Sequence, residues 1–296
     1  VPDFTFFGSA SAVQMTGAVP VFCDIDKSTA QTCAEFIEPK ITEKTKAVMP
    51  VHLYGTTCNM RPIMELAKKH DIRVIEDAAQ AIGVFCNGKH SGTIGDVGCF
   101  SFFADKTITT GEGGLIVTDD ESIHERLLFL RNQGRIDRGS FIHPELGYNF
   151  RITDIQAAVG LIQLSKLDKI SQMKIKIAER YRERLQNVPE VRFLDKEPDS
   201  TYIPFRVTIY AEDAFDLMGY MEEKEIQTRT FFYPLHRQPA FEYLLNDPDY
   251  ADYMADENFP GTNYAYGHGI CLPSYAALKA EDQDYICDTI KSYYKR

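Results

Sequence analysis

The sequence lacks three features that mark broad classes of protein. No apolar run approaches the roughly 20 residues that a membrane-spanning helix needs. No basic segment followed by an apolar one marks the chain for secretion. With 32 basic and 43 acidic side chains, the net charge is −11, so the chain lacks the basic face that nucleic acids and acidic membranes require. We therefore expect a cytoplasmic protein without nucleic-acid or membrane partners, with room for one small basic pocket.

Two short motifs are also missing. The seven cysteines include no Cys-x-x-Cys pair, and their odd number and irregular spacing suggest neither a metal site nor a disulfide framework. Reduced and mostly buried thiols are expected instead. The Gly-x-Gly-x-x-Gly fingerprint does not follow a first strand, which argues against a nicotinamide-dependent dehydrogenase.

The chain also lacks an initiator Met. It begins at Val1 and runs at once into sequence with the character of folded structure, so we expect an N-terminal segment to be missing. The 296 residues are enough for two domains. We predict a large domain over residues 1–170 and a small domain over residues 171–296.

The first half alternates short apolar runs with helical patterns. This order predicts an α/β fold in which helices flank a mostly parallel sheet. Predicted strands cover 18–23, 46–51, 73–75, 97–103 and 115–118, and predicted helices start at Pro62 and span 121–132.

A capping box at Thr153–Gln156 opens a helix whose pattern continues to about Leu185, long enough to link two domains. Beyond Pro189 the pattern predicts a smaller α/β region, with a strand over 202–209 and helices over 213–223 and 281–294.

Two segments place chemically useful side chains just after apolar strands. Asp77 is the last residue of the strand-like segment Val74–Asp77. Lys106 lies between the apolar run 97–103 and the glycine-rich turn at Gly111–Gly114. In open α/β sheets, ligands lie outside the carboxyl ends of the strands, where both residues are expected. Taken singly, each has a simpler explanation: a turn-forming aspartate, a solvated lysine and a tight glycine turn.

Four segments, PVHLYG, VIEDAAQA, SFFADKTITTGEGG and GYNFRITDIQAAVGLIQL, resemble the DegT/DnrJ/EryC1/StrS family of sugar aminotransferases. This family is a branch of the fold-type-I enzymes that depend on pyridoxal 5′-phosphate (PLP). The resemblance covers nearly the whole chain, in order. It implies a fold-type-I large domain followed by a smaller C-terminal α/β domain.

The resemblance also implies roles for particular residues. Lys106 corresponds to the lysine that carries PLP covalently. A lysine is suited to this role because burial lowers the pKa of its amine and so increases the neutral, nucleophilic form. Asp77 corresponds to the carboxylate that pairs with the pyridine nitrogen and keeps it protonated.

Further contacts to PLP are implied for Gln80 beside the ring hydroxyl, Phe6 on the ring face and Ser101 at the phosphate. Asn149 corresponds to a residue that reaches the phosphate from a neighbouring subunit, which implies a homodimer with shared sites. A core role for Phe6 and a plain turn role for Asn149 remain open.

The stretch from Gln227 to His236 corresponds to the mouth of the active site in the family. Arg229 and His236 are candidate contacts for a carboxylate or diphosphate of the substrate. The alternative is a surface loop with solvated charges.

The resemblance implies transfer of an amino group from L-glutamate to a nucleotide-linked keto-sugar, at C4 of a 4-keto-6-deoxyhexose. Two alternatives stay open: a sugar dehydratase of the same family, whose members carry histidine where this chain has Lys106, and a regulatory protein that has lost the chemistry. One departure concerns the Ser-Gly-Thr turn that holds the PLP phosphate in relatives. It is absent upstream of Phe6, which again favours a missing N-terminal segment.

Overall fold

The chain folds into alternating helices and short strands, and the computed structural model describes residues 1–137, 139 and 141–295. The α-helices of these residues are α1 (Phe7–Met15), α2 (Ala34–Ile37), α3 (Met60–His70), α4 (Glu121–Arg131), α5 (Asp154–Leu164), α6 (Leu167–Leu185), α7 (Ala214–Glu223), α8 (Pro260–His268) and α9 (Ala280–Tyr294). The strands are β1 (Ala47–Val48), β2 (Arg73–Asp77), β3 (Phe85–Cys86), β4 (Lys89–His90), β5 (Val97–Ser101), β6 (Gly114–Val117), β7 (Val191–Phe193), β8 (Val207–Ala211), β9 (Arg229–Thr230) and β10 (Gly269–Leu272). Short 3-10 helices lie at Glu38–Lys40, Leu235–Arg237, Pro239–Asn246, Ala251–Met254 and Asp256–Asn258. None of the helices in the described ranges has both the length and the apolar character needed to traverse a bilayer.

A mixed sheet carries the first half of the chain. Its strand order is β1-β2-β5-β6. The pairs β1–β2 and β2–β5 are parallel, and β6 closes the edge antiparallel to β5. Because β2 and β5 run in parallel side by side, their carboxyl ends meet at one edge of the sheet, with Asp77 opposite Cys99. The predicted α/β architecture with a mostly parallel sheet is therefore confirmed.

A second sheet carries the later part of the chain. Its order is β7-β8-β10-β9, and all of its pairs are antiparallel. Helices α6, α7 and α9 pack with it around one apolar cluster that includes Tyr181, Ile209, Leu217 and Ile290. Burial of these side chains supplies the driving force for this region.

A separate apolar cluster joins the two parts of the chain. It contains Phe4, Leu53 and Tyr54 from the first part together with Tyr210 and Phe231 from the second. The two parts of the chain thus share buried surface, and the division of the chain at residue 170 stays a prediction.

The strand predicted over 18–23 is wrong as a regular element. Its residues form a single bridge in which Cys23 pairs with Pro2. Cys23 exchanges backbone hydrogen bonds with Val1 and Asp3, and Pro20 within the run has no N–H to donate. The strand predicted over 202–209 is also displaced, since β8 begins at Val207.

The single helix predicted from Thr153 to about Leu185 is wrong in one respect. The capping box is present, but the helix breaks between α5 and α6 at Ser165 and Lys166. The hydroxyl of Ser165 donates to the carbonyl of Ile162 at 2.8 Å, a local bond that competes with helix continuation.

All seven cysteines are free thiols, and five of them are buried. The two that are half-buried are Cys33 and Cys99, and burial raises the pKa of the Cys99 thiol to about 11. The expectation of reduced, mostly buried thiols is met.

Candidate active site

Asp77 is the last residue of β2, and its carboxylate is held from two directions. Oδ2 accepts a hydrogen bond from the hydroxyl of Ser9 at 2.7 Å, and Oδ1 accepts one from the backbone N–H of Ala79 at 3.0 Å. The backbone of Asp77 also bonds to Pro50 and His52 on the neighbouring chain segment. These contacts fix a half-buried carboxylate at the edge of the sheet where ligands are expected.

The adjacent carboxylate, Glu76, belongs to the fold and not to the site. It is fully buried and accepts hydrogen bonds from His52 and from the backbone N–H groups of Gly92, Ile94 and Gly95. Burial opposes its charge, but these donors outweigh burial and lower the pKa of Glu76. Since successive side chains of a strand point to opposite faces, Asp77 is directed away from this anchor.

Lys106 lies in the connection between β5 and β6, close to the same edge. Its Nζ is 4.7 Å from the centre of the Phe205 ring. Burial lowers the pKa of Lys106, and the charge of Arg206 adds to that effect, while the carboxylates of Asp105 and Asp77 oppose it. The amine is thus partly desolvated and lies within the electrostatic influence of Asp77.

A cleft of about 810 Å³ opens beside Lys106. Its basic side chains include Lys106, Lys174, Arg206 and Arg229, and one of its acidic ones is Asp105, which pairs with Arg206 at 2.6 Å. A net anionic chain therefore concentrates positive charge in one concave region, an arrangement suited to an anionic small molecule.

Three predicted cofactor contacts lie on segments next to Asp77 or Lys106. The side-chain oxygen of Gln80 accepts from the backbone N–H of Tyr54 at 2.9 Å. The hydroxyl of Ser101, at the end of β5, accepts from the backbone N–H of Phe103 at 3.3 Å and still has its own hydrogen to donate. Phe6 precedes α1, and 65% of its surface is exposed. The alternative role for Phe6, that of a buried core residue, is therefore wrong.

Asn149 lies on an exposed surface. Its backbone forms an antiparallel bridge with Asn132, so the residue is extended and does not occupy a turn. The large apolar side chains Leu146, Tyr148 and Phe150 surround it in sequence and are also exposed.

The two predicted substrate residues are in different environments. Arg229 is exposed in β9 and lines the cleft. His236 is buried, and its ring nitrogens contact Asp3 at 2.7 Å and Asp256 at 2.9 Å. Both nitrogens are therefore engaged by carboxylates, and His236 does not line the cleft that holds Arg229.

The comparisons with known proteins agree with this geometry. The sequence profile of the DegT/DnrJ/EryC1/StrS aminotransferase family matches residues 1–291. The chain belongs to this family. It is 40% identical over 295 residues to GDP-perosamine synthase of Escherichia coli O157:H7, covering 99% of this chain and 78% of that protein.

Solved structures of similar proteins share the fold. DesV of S. venezuelae, solved in complex with a ketimine intermediate, superposes with a TM-score of 0.91 at 30% identity and covers 100% of this chain and 78% of DesV. Spr1654 of Streptococcus pneumoniae in its PLP form gives a TM-score of 0.90 at 26% identity, over 99% of this chain and 80% of that one. The fold-type-I architecture is therefore confirmed.

The residues of this family member fit PLP on local chemistry. A fixed carboxylate, a partly desolvated amine and an exposed aromatic ring are the groups required by a cationic ring nitrogen, an aldehyde and a planar ring. Asp77, Lys106 and Phe6 supply them, and Ser101 offers a hydroxyl donor for a phosphate oxygen.

Two residues of the site were not identified from sequence. Ser9 gave no signal because its contact with Asp77 joins positions 68 residues apart. Lys174 could have been identified from the sequence, because it is a charged residue within the helical pattern of apolar residues Ile170, Ile177 and Tyr181. Burial lowers the pKa of Lys174 to about 8, and its Nζ donates to the carbonyl of Ser274 at 3.1 Å.

Proposed function

We propose that this sugar aminotransferase moves an amino group from L-glutamate to C4 of a nucleotide-linked 4-keto-6-deoxyhexose, with PLP held at Lys106 and Asp77. The observation that carries the proposal is a fixed carboxylate at the carboxyl end of β2 together with a partly desolvated lysine in the connection that follows the adjacent parallel strand β5. The similarity to GDP-perosamine synthase supports the sugar class.

Lys106 both holds the cofactor and moves protons. The lowered pKa leaves more of its Nζ in the neutral form that can attack an aldehyde. With PLP and an amino donor bound, the free Nζ of Lys106 would accept the proton from the donor's α-carbon and return it to the carbon of the cofactor that receives the amino group. A positioned base of this kind contributes a rate factor of roughly 10²–10⁴.

Asp77 keeps the ring nitrogen protonated. PLP, when bound, supplies an electron sink for the electrons of the broken C–H bond, and a cationic ring nitrogen strengthens that sink. The two hydrogen bonds from Ser9 and Ala79 stop the carboxylate from rotating away from the ring.

The remaining contacts orient the cofactor and the sugar. Gln80 would lie beside the ring hydroxyl, Phe6 would cover one face of the ring, and Ser101 would donate to the phosphate. Arg229, exposed in the cleft, presents its guanidinium to the diphosphate of the nucleotide.

Incubation of the full-length protein with PLP, L-glutamate and a panel of nucleotide-linked keto-sugars tests the proposal. Mass spectrometry should show the product in which NH₂ and H replace the keto oxygen, together with 2-oxoglutarate. A dehydrated product in place of the amine would show a sugar dehydratase. A protein that stays colourless with PLP, and converts none of the sugars, would show a regulatory protein.

We propose further that the functional unit is a homodimer. Large exposed apolar side chains concentrate in β6, in α5 and among residues 141–152, and Leu128 of α4 and Ile136 add to them. We call this set the apolar face; examples are Leu115, Leu146 at 95% exposure, Phe150 and Leu161. Helix α5 has no buried residue at all. Soluble monomers rarely expose apolar patches of more than a few hundred Å², which favours a covered surface.

A second copy of the chain is the partner that suits the apolar face, because Asn149 lies within it and corresponds to a residue that completes a neighbour's phosphate site. Leu161→Asp is expected to convert dimer to monomer in sedimentation velocity. Leu245→Asp changes another exposed leucine, which lies outside the apolar face, and should leave the dimer intact. A monomeric unmodified protein would refute the shared-site proposal.

A further inference from the structure

A buried charged contact ties the first residues of the chain to the 3-10 helix at Leu235–Arg237. Asp3 is fully buried, and both of its carboxylate oxygens face His236: Oδ1 accepts from the backbone N–H at 2.6 Å, and Oδ2 contacts Nδ1 at 2.7 Å. The carbonyl of Asp3 accepts from the backbone N–H of Leu235 at 3.1 Å. Residue 3 is therefore held at three points, and we call this set of contacts the Asp3–His236 clamp.

The far side of the His236 ring also faces a carboxylate. Nε2 lies 2.9 Å from Oδ1 of Asp256, whose same oxygen accepts from Nε of Arg237 at 2.7 Å. When Asp3 and Asp256 are both ionised they only accept hydrogen bonds, so both ring nitrogens then donate and the ring carries a proton on each. Burial raises the pKa of Asp3, and its hydrogen bonds and charge interaction with His236 oppose that shift. With both carboxylates ionised, the side chains of Asp3, Asp256, His236 and Arg237 carry two negative and two positive charges, which cancel.

The surroundings of the ring favour this charged form. Burial opposes the imidazolium, but hydrogen bonds and charges from Asp3 and Asp256 outweigh burial and raise the pKa of His236. The Phe259 ring stacks on the imidazole at 4.3 Å between centres. Two other charged groups lie near: Asp24, whose charge acts on Asp3, and Lys40, whose Nζ is 5.9 Å from the Phe259 ring.

The segment that the clamp holds leads directly to the carboxylate of the candidate site. Phe4 is buried among the rings of Tyr54, Phe231 and Phe232. The hydroxyl of Thr5 lies 3.3 Å from that of Ser9, and Ser9 donates to Asp77. A displacement of residue 3 therefore moves the donor that orients Asp77.

We propose that protonated His236 is a positioning residue: through Asp3 it holds residues 3–9 so that Ser9 orients the Asp77 carboxylate. This inference rests on the proposed function in one respect only, the role of Asp77 toward the cofactor. The placement of residues 3–9 is a property of the protein without any ligand.

The pH dependence follows from the direction of the pKa shift. A raised pKa means that the clamp is fully formed below the ordinary histidine pKa of about 6.5 and is lost as the pH rises through the folded-state value. Above that value one ring nitrogen ceases to donate, and one carboxylate contact breaks.

The chain contains no tryptophan, so Phe6→Trp introduces a single fluorescent reporter three residues after Asp3. In this reporter protein without cofactor, anisotropy at position 6 should fall between pH 6 and pH 9. With His236→Gln added, anisotropy should be low and independent of pH. The matched control is His268→Gln, because His268 is half-buried and contacts only Tyr264 among the hydrogen bonds and ring contacts of the structure. It should retain the pH-dependent fall.

A second readout is the dissociation constant for PLP, measured from absorbance in the chain with Phe6 retained. His236→Gln should weaken PLP binding about tenfold at pH 7, the effect expected for loss of a charge-assisted buried hydrogen bond. His268→Gln should not change it. Identical anisotropy profiles with and without His236, or an unchanged PLP affinity in His236→Gln, would overturn the proposal.

Asp256→Asn provides the test if His236→Gln does not fold. It removes the outer negative charge and keeps the contact with Asp3, so the midpoint of the anisotropy change should move to lower pH. An unmoved midpoint would equally overturn the proposal. Failure of the unmodified protein to bind PLP would contradict the proposed function, whereas the anisotropy result would still decide the role of His236.

Discussion

The hydroxyl of Ser9 donates to Oδ2 of Asp77 at 2.7 Å, although 68 positions separate the two residues in the chain. The first helix of the structure is thereby coupled to the carboxyl end of a central strand. This bond orients the carboxylate, because the hydroxyl donates to one of its two oxygens.

Loss of this bond should weaken cofactor binding without unfolding the protein. Ser9→Ala removes a hydrogen bond to a half-buried charged group, worth about 1 kcal/mol, so the PLP dissociation constant should rise about fivefold. Ser11→Ala is the control, since the Ser11 hydroxyl donates to the carbonyl of Gly8 on the same helix and not to the site. Equal effects of the two variants in an absorbance titration would show that the helix, and not the bond, matters.

Lys106→Ala should abolish amino transfer and leave the fold intact, because the loss is chemical. The expected result is no product above background and an unchanged far-ultraviolet circular dichroism spectrum. Treatment of the PLP-loaded natural protein with borohydride, followed by digestion, should place the pyridoxyl label on the Lys106 peptide. Lys89→Ala, an exposed lysine of β4, should be labelled at Lys106 and fully active. A label on another lysine would refute the assignment.

The sheet edge that carries Asp77 also depends on a close approach of backbone. A Cβ added to Gly98 in β5 would lie 1.7 Å from the carbonyl oxygen of Gly92, and backbone atoms cannot yield as a flexible side chain can. Gly98→Ala should lower the free energy of unfolding by about 3 kcal/mol in urea titration. At Gly219 in α7, an added Cβ meets nothing within 4 Å, and Gly219→Ala should raise that free energy by about 0.5–1 kcal/mol. Similar stability of Gly98→Ala and the natural protein would contradict the packing argument.

Two of the candidate site residues could be located from the sequence because neighbouring residues mark their positions. Asp77 and Lys106 each follow an apolar strand in the chain, so their position at the sheet edge could be inferred from a few neighbouring residues. The contact of His236 with Asp3 joins positions 233 residues apart and has no local pattern. His236 was therefore predicted from the sequence to be a substrate contact in a loop, whereas in the structure its ring is buried and contacts two carboxylates. The strand predicted over 18–23 failed for a different reason: an apolar run predicts burial, but Pro20 within it has no N–H for a strand ladder.

Asp77→Asn separates the charge of the carboxylate from its shape. The amide oxygen of asparagine can still accept the hydrogen bond of Ser9, so the fold and the binding of PLP should largely persist. The neutral side chain no longer holds a proton on the ring nitrogen, and the rate of amino transfer should fall about a hundredfold, in line with the loss of a preorganised electrostatic contact. Single-turnover reaction with L-glutamate measures this step directly. Asp71→Asn is the matched control, because Asp71 is an exposed aspartate in the left-handed conformation that asparagine also adopts readily. A full rate in Asp77→Asn would mean that the ring nitrogen is protonated without a negative partner, and the assignment of Asp77 would then be wrong.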